Sequence, residues 1–193
     1  MKKILALVLG TVLSMTSVYA ASLEDNKDFV AVEKQLTKNA NISGDFEQTR
    51  YISGLDNPLK STGEFSITTD GLVWDQTDPF KSTMKASKDR LEQSIMDNPP
   101  TVITREQQPM VFTFTQVFMS VFQGDTSSVE SYFNIEFSGD VNSWKITLSP
   151  KSSPLDKAIK TIELEGAKTI EHIKVTDAQE NVIDIKLMNV KVK

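Results

Sequence analysis

Apolar and polar side chains alternate through most of the chain after residue 43, and this period of two constrains the fold more than any other feature. In GDFEQTRYI, residues 44–52, one face of an extended strand carries Phe46, Gln48, Arg50 and Ile52. Similar runs follow in LKSTGEFSI, LVWDQT, FKSTMKA and LEQSI, with the turn signal TTDG after the first of them. Short strands at this spacing are typical of an antiparallel meander.

The alternation returns in the second half of the chain. After the break at DNPPTV, residues 97–102, and a central segment, FNIEF leads through a turn into WKITLSP. TIELEG, TIEHIKVT and VIDIKLMNVKVK then complete about ten strands. Before the first strand, SLEDNKDFVAVEKQLTKN places Phe29, Val32 and Leu36 on one helical face. The sequence therefore predicts a mainly β domain with some helix, built on one antiparallel sheet that is long enough to curl.

The central segment MVFTFTQVFMSVF, residues 110–122, has no charge and holds four of the ten Phe residues. A strand would place those four Phe residues on one face. A helix would group Val111, Phe114, Phe118, Val121 and Phe122. Its length, Pro109 before it and Gly124 after it favour the helix. In either form, we expect it to pack on the concave face of the curled sheet.

The first twenty residues, MKKILALVLGTVLSMTSVYA, have the pattern of a secretory signal peptide. Two Lys residues precede an apolar run over residues 4–13, and small residues follow at Val18 and Ala20. The run is shorter than the ~20 apolar residues that a spanning helix needs. We therefore expect residues 1–20 to be cleaved and residues 21–193 to form a single exported domain. An uncleaved N-terminal anchor is the alternative.

The composition argues against several classes of function. Lys and Arg number 21 against 26 Asp and Glu, which gives a net charge of −5 at pH 7. An acidic chain without a basic stripe is a poor ligand for nucleic acid or anionic lipid. The chain has no Cys, which excludes a disulfide framework, a thiolate metal site, a Cys nucleophile and the acylated Cys of a lipoprotein.

Catalytic groups are equally sparse. His172 is the single histidine, and we expect it to be an exposed strand residue, because a lone His without Cys cannot build the usual zinc sites. No nucleophile elbow, phosphate loop or dinucleotide fingerprint is present. Trp74 and Trp144 lie among apolar strand residues, so packing is favoured over sugar stacking. We predict a non-enzyme without cofactor or metal; a glycosidase-type carboxylate pair or a lipid hydrolase is the enzymatic alternative.

The order of these features resembles one protein family. The N-terminal helix, ISGDFEQTR, STGEF, GLVWDQTDPF, the apolar segment and WKITLSPKSSPLDKAIKTIEL follow one another as they do in that family. The matching positions are Phe46-x-Gln48, Gly63, Trp74, Pro79, the pattern W-x-x-x-L-x-P-K at 144–151 and the turn at Asp177. The set spans nearly the whole mature chain and resembles the LolA family of periplasmic outer-membrane lipoprotein carriers.

The resemblance implies an unclosed antiparallel β-barrel, a half-barrel whose mouth is covered by a helical lid. Between sheet and lid, apolar side chains would shield the acyl chains of a lipoprotein or another exported lipid. Members of the family receive cargo from an inner-membrane transporter and pass it to an outer-membrane acceptor protein. The resemblance thus implies a periplasmic carrier, and we expect a monomer.

Twelve apolar residues form the predicted lipid-binding set. The sheet would contribute Phe46, Phe65, Ile67, Trp74, Met84 and Leu91. The lid would contribute Met110, Val111, Phe114, Phe118, Val121 and Phe122. Two alternatives stay open: these residues form an ordinary closed core, or the chain is a periplasmic scaffold or assembly factor whose apolar groove binds protein partners.

The chain departs from the family pattern at one position. The best-known carriers have an Arg-Pro pair shortly before the Trp, and that Arg bonds the backbone of the lid. Here the corresponding region is ITTDGLVW, with Thr68 and Thr69 and no Arg. Arg50, on the strand face of Phe46 and Gln48, is the candidate lid contact. Relatives that accompany gene clusters for exported lipids or aryl polyenes are similar in this region, which leaves the cargo open.

Overall fold

A computed structural model describes residues 23–96 and 98–193, without the side chains of Met110, Val111 and Phe114. The predicted signal peptide, residues 1–20, lies outside the described residues. Within the described part of the chain, no helix combines the length and the apolar character needed to cross a membrane.

Eleven strands and three α-helices make up the described chain. The helices are α1 (Lys27–Lys38), α2 (Pro109–Gln123) and α3 (Thr126–Glu130), with 3-10 turns at Leu23–Asp25 and Leu155–Lys157. The first six strands are β1 (Ile42–Tyr51), β2 (Leu59–Thr68), β3 (Gly71–Asp78), β4 (Ser82–Ala86), β5 (Arg90–Ile95) and β6 (Thr101–Thr104). The other five are β7 (Phe133–Asp140), β8 (Ser143–Pro150), β9 (Ile159–Gly166), β10 (Ile170–Asp177) and β11 (Val182–Val192).

All eleven strands belong to one antiparallel sheet. Its order is β6-β5-β4-β3-β2-β1-β11-β10-β9-β8-β7, so β1 pairs with β11 and joins the two meanders. The sheet is not closed, and β6 and β7 are its two edges. This confirms the predicted unclosed antiparallel sheet. The prediction missed β6, because this strand has only four residues and begins within the Pro-containing DNPPTV segment.

The helix α1 begins at a side-chain cap and buries the predicted face. The Asn26 side chain accepts hydrogen bonds from the backbone N–H groups of Asp28 and Phe29, at 3.0 and 3.1 Å. Phe29, Val32 and Leu36 are all buried. The amphipathic face therefore packs against the sheet, as its 3.6-residue spacing indicates.

The segment 110–122 is helical, which settles the choice between helix and strand. Pro109 lies in the first turn, and Gly124 ends the helix in the left-handed region with a φ of 65°. The buried side chains include Phe112 and Val117 as well as Phe122. The predicted face did not include the first two, because this uncharged helix has apolar residues on most sides and its Thr, Gln and Ser residues distinguish its faces only weakly.

The convex face of the sheet carries rows of charged side chains. The Lys145 ammonium bridges Glu163 and Glu165, and the hydrogen bond from Lys145 holds the pKa of Glu163 below its ordinary value. His172 belongs to this row: its Nε2 lies 3.0 Å from an Asp184 carboxylate oxygen. The histidine is therefore half-buried among carboxylates of the outer face, more enclosed than the exposed strand residue we predicted.

Candidate functional site

A cleft of about 410 Å³ lies between the concave face of the sheet and α2. Strands β1, β3, β4, β5, β10 and β11 supply its walls. The apolar lining consists of Leu72, Trp74, Met84, Leu91, Phe118, Ile173, Val175, Ile183 and Ile185. The polar lining consists of Gln48, Arg50, Gln76, Ser82, Gln93 and Thr115. Its size is within the ~300–1,000 Å³ range of small-molecule sites.

The floor of the cleft is an aromatic stack. The Trp74 ring lies 3.9 Å from the Phe46 ring, centroid to centroid, with an angle of 24° between the planes. The two residues belong to β3 and β1, and the residue of β2 opposite Phe46 is Gly63. Because Gly63 has no side chain, the rings can meet across β2. Trp74 therefore both packs on a buried ring and faces the cleft.

The strand register separates the apolar and polar parts of the cleft. At one end, Leu72 pairs with Ala86, and Ala86 pairs with Leu91. At the other end, Gln76 pairs with Ser82. Since these side chains share one face of the sheet, one end of the cleft is hydrocarbon-like and the opposite end offers hydrogen-bonding groups.

Arg50 lies at the polar end and is exposed to solvent. Its charge also reaches Asp177, at the end of β10. Partial burial raises the pKa of Asp177, but hydrogen bonds from Asn181 and Gln179 and the charge of Arg50 lower it by more, so this pKa lies below its ordinary value. The Asp177 carboxylate therefore stays ionised at neutral pH.

Exposed apolar side chains surround the polar end of the sheet. They occur where β1, β3 and β5 end and where β2 begins. This apolar rim consists of Tyr51, Leu55, Leu59, Phe80, Ile95 and Met96, each more than two-fifths exposed. Exposed apolar side chains that gather at one end of a sheet are a common feature of interaction sites.

No acid–base pair faces the cleft among the described residues. Arg50 is the single ionisable side chain in the described lining. In the same part of the chain, no group of three or more His, Cys, Asp or Glu residues is placed to hold a metal ion. The arrangement can therefore enclose a hydrophobic molecule, and the described lining offers it no pair of catalytic carboxylates.

Comparison with known protein families shows to which family the chain belongs. Residues 20–183 match the family described as "Outer membrane lipoprotein carrier protein LolA-like". The chain belongs to the LolA-like family. This confirms the resemblance found in the sequence.

Two crystal structures resemble the LolA-like chain. One is a LolA superfamily protein from Nitrosomonas europaea, with 8% identity and a TM-score of 0.46, covering 86% of this chain and 93% of the other. The second is a DUF1329 family protein from Desulfovibrio piger, with 9% identity and a TM-score of 0.49, covering 85% and 90%. Among curated protein sequences, none matches this chain.

The structure divides the predicted lipid-binding residues of this LolA-like chain into several groups. Those that line the cleft are Trp74, Met84, Leu91 and Phe118, together with the lid-contact candidate Arg50. Those buried in the core, outside the described lining, are Phe46, Phe65, Ile67 and Phe122. Val121 borders a separate space of about 30 Å³ against α1. The side chains of Met110, Val111 and Phe114 lie outside the description.

Sequence reasoning omitted the contribution of the last two strands. Ile173 and Val175 of β10 and Ile183 and Ile185 of β11 form one wall of the cleft. The alternation in TIEHIKVT and VIDIKLMNVKVK placed these residues on common faces. The pattern does not predict that β11 pairs with β1, and this pairing brings the last strand beside the first one.

Both ends of α2 are attached away from the polar end of the cleft. Just before the helix, Arg105 donates to the Lys88 carbonyl at 2.8 Å, lies 3.7 Å from an Asp89 oxygen, and stacks 5.4 Å above the Phe112 ring. At the other end, a Cβ on Gly124 would approach the Glu33 carbonyl to 2.7 Å, so the helix end packs tightly on α1.

We expect Arg105→Ala to loosen the start of α2 without unfolding the protein. The substitution removes the hydrogen bond to Lys88 and the contact with Phe112, and the helix N-terminus has no side-chain cap. Hydrogen exchange should rise at the first α2 amides, while the free energy of unfolding changes by about 1 kcal/mol or less.

Lys88→Ala is the matched control, because Arg105 bonds the backbone of Lys88 and not its side chain. Equal exchange at α2 in wild type and Arg105→Ala would show that this contact does not hold the helix.

Proposed function

We propose that this LolA-like protein is a periplasmic lipid carrier that shields an acyl chain in the cleft beneath α2. The observation that carries the proposal is the cleft itself, which nine apolar side chains from sheet and helix line. Residues 21–193 would act as a single exported domain once the signal peptide is removed. The apolar rim would be where cargo enters and leaves, since it borders the polar end of the cleft.

Burial of hydrocarbon supplies enough affinity for such a role. Each buried methylene contributes about 0.8 kcal/mol, so roughly ten of them would gain about 8 kcal/mol before the costs of association. Release requires that the protein close again without cargo. Met84 and Phe118 suit this, because long thioether and aromatic side chains adapt to different shapes.

The donor would be an inner-membrane transporter and the acceptor an outer-membrane protein. Both must take an amphiphile out of water, so each needs an apolar surface that meets the rim around Tyr51, Leu59 and Phe80. Cleavage would remove Lys2 and Lys3 and change the net charge from −5 to −7, which disfavours docking on anionic lipid and favours a protein at each end of the route.

The test is whether the exported protein holds lipid. Native mass spectrometry of the chain, purified gently from a periplasmic extract, should show a mass increment that organic extraction identifies as lipid. A fluorescent fatty acid should bind the delipidated protein with a 1:1 stoichiometry.

Absence of both signals, with the protein folded, would contradict a carrier. That outcome would favour the alternative of an assembly factor, for which the rim would be a protein-binding surface.

A further inference from the structure

The described lining of the cleft contains one charge, and that charge is at one end. Strand alternation sends ionisable side chains of the lining strands to the convex face, among them Lys85 on β4, Glu92 on β5, and Asp184 and Lys186 on β11. Arg50 of β1 faces inward instead, opposite Ile183. One end of the described lining is therefore neutral and apolar, and the other end carries a positive charge.

Amide side chains accompany the guanidinium. Gln48 precedes Arg50 on the same face of β1, and its Nε2 donates to the Ser61 hydroxyl at 3.3 Å. Gln76 Nε2 donates to the Phe80 carbonyl at 2.9 Å, and Gln93 completes the group. Polar groups that line an otherwise apolar pocket orient a ligand and supply its specificity. A ligand with a polar head and an apolar tail matches this division.

The volume is suited to one hydrocarbon chain. At about 410 Å³, the cleft lies toward the lower end of the ~300–1,000 Å³ range of small-molecule sites. The cleft therefore fits a single-chain amphiphile better than it fits a multiply acylated lipoprotein.

The charge balance distinguishes a monoanion from a dianion. A guanidinium presents paired N–H donors that match a carboxylate. Arg50 is the single ionisable side chain in the described lining, so one carboxylate neutralises the charge there, whereas a doubly charged phosphate head would leave an excess negative charge.

We propose that the cleft selects a long-chain carboxylic acid, with its chain along Leu72, Trp74 and Leu91 and its carboxylate beside Arg50. This inference rests on the proposed function, because it names the cargo of the same cleft. It assigns to Arg50 the binding of a head group.

The experiment compares head groups on one chain length. Hexadecanoate, hexadecanol and hexadecyl phosphate displace a neutral fluorescent probe from the delipidated protein at pH 8. Arg50 is exposed, and an exposed ion pair contributes about 0.2–1 kcal/mol, so wild type should bind hexadecanoate about two- to fivefold more tightly than hexadecanol. Arg50→Gln should abolish that difference.

Lys60→Gln is the matched control, because it removes one positive charge from the convex face of the neighbouring strand. It should leave both affinities unchanged. Equal binding of hexadecanoate and hexadecanol by wild type would overturn the inference while keeping the carrier function. Tighter binding of hexadecyl phosphate than of hexadecanoate would overturn it in favour of a phosphate head. Failure of all three ligands to bind would contradict the proposed function itself.

Discussion

Phe118→Glu is expected to abolish binding of hydrophobic cargo while the protein stays folded. The Phe118 ring is half-buried, borders the cleft and lies 4.8 Å from the Phe122 ring. A carboxylate at this position removes apolar contact and puts a charge against hydrocarbon, which should weaken binding of a fluorescent fatty acid by about a hundredfold. Since the side chain faces an open cleft, the charge can stay hydrated, and the unfolding free energy should fall by about 1 kcal/mol or less.

The neighbouring residue supplies the control. Val117 is 2% exposed and belongs to the core. Val117→Glu buries an unpaired charge, so we expect it to destabilise the protein by several kcal/mol. Thermal unfolding followed by circular dichroism separates the two variants. If both lose their folded signal equally, Phe118 is a core residue and the cleft is not a binding site at that position.

Phe46→Ala is expected to destabilise the protein more than any other single truncation in the sheet part of the predicted lipid-binding set. Phe46 is 1% exposed, and its ring supports Trp74 from below. Truncating a buried Phe costs about 3–5 kcal/mol, which corresponds to a fall in Tm of roughly 10 °C for a domain of this size. Urea and thermal unfolding measure the two quantities.

Tyr51→Ala is the matched comparison, because Tyr51 is an aromatic residue of the same strand with half its surface exposed. We expect its effect on the free energy of unfolding to stay within about 0.5 kcal/mol. A loss below about 1 kcal/mol for Phe46→Ala would mean that the site tolerates an empty space. Phe46 would then belong with the ligand-contacting residues, as the sequence predicted.

Phe46 and Trp74 show what strand alternation can predict about a side chain and what it cannot. Phe46 and Trp74 both point to the concave face, and the pattern predicts both as lipid contacts. Only the structure separates the buried ring from the one that borders the cleft. Alternation assigns a side chain to a face, whereas its depth depends on which helix covers that part of the face.

The helix α2 shows a second limit of prediction from the sequence pattern. Pro109, Gly124 and the length of the segment predicted a helix, and the helix is present. Its contacts could not be predicted, because a helix without charges and with apolar residues on most sides can pack with more than one side inward. Arg105 also escaped notice: its contacts with Lys88 and Phe112 depend on the path of the chain between β6 and α2.

The sequence by itself determined the open antiparallel sheet, the helical lid and the LolA-like family. Local periodicity and the order of motifs carry that information, and neither depends on distant contacts. Only the tertiary structure decided which residues share the cleft. The pairing of β1 with β11 brings Ile183 and Ile185 beside Gln48, and it places Arg50 near Asp177. These neighbours lie more than a hundred residues apart in the chain, so the head-group end of the cleft exists only once the sheet has formed.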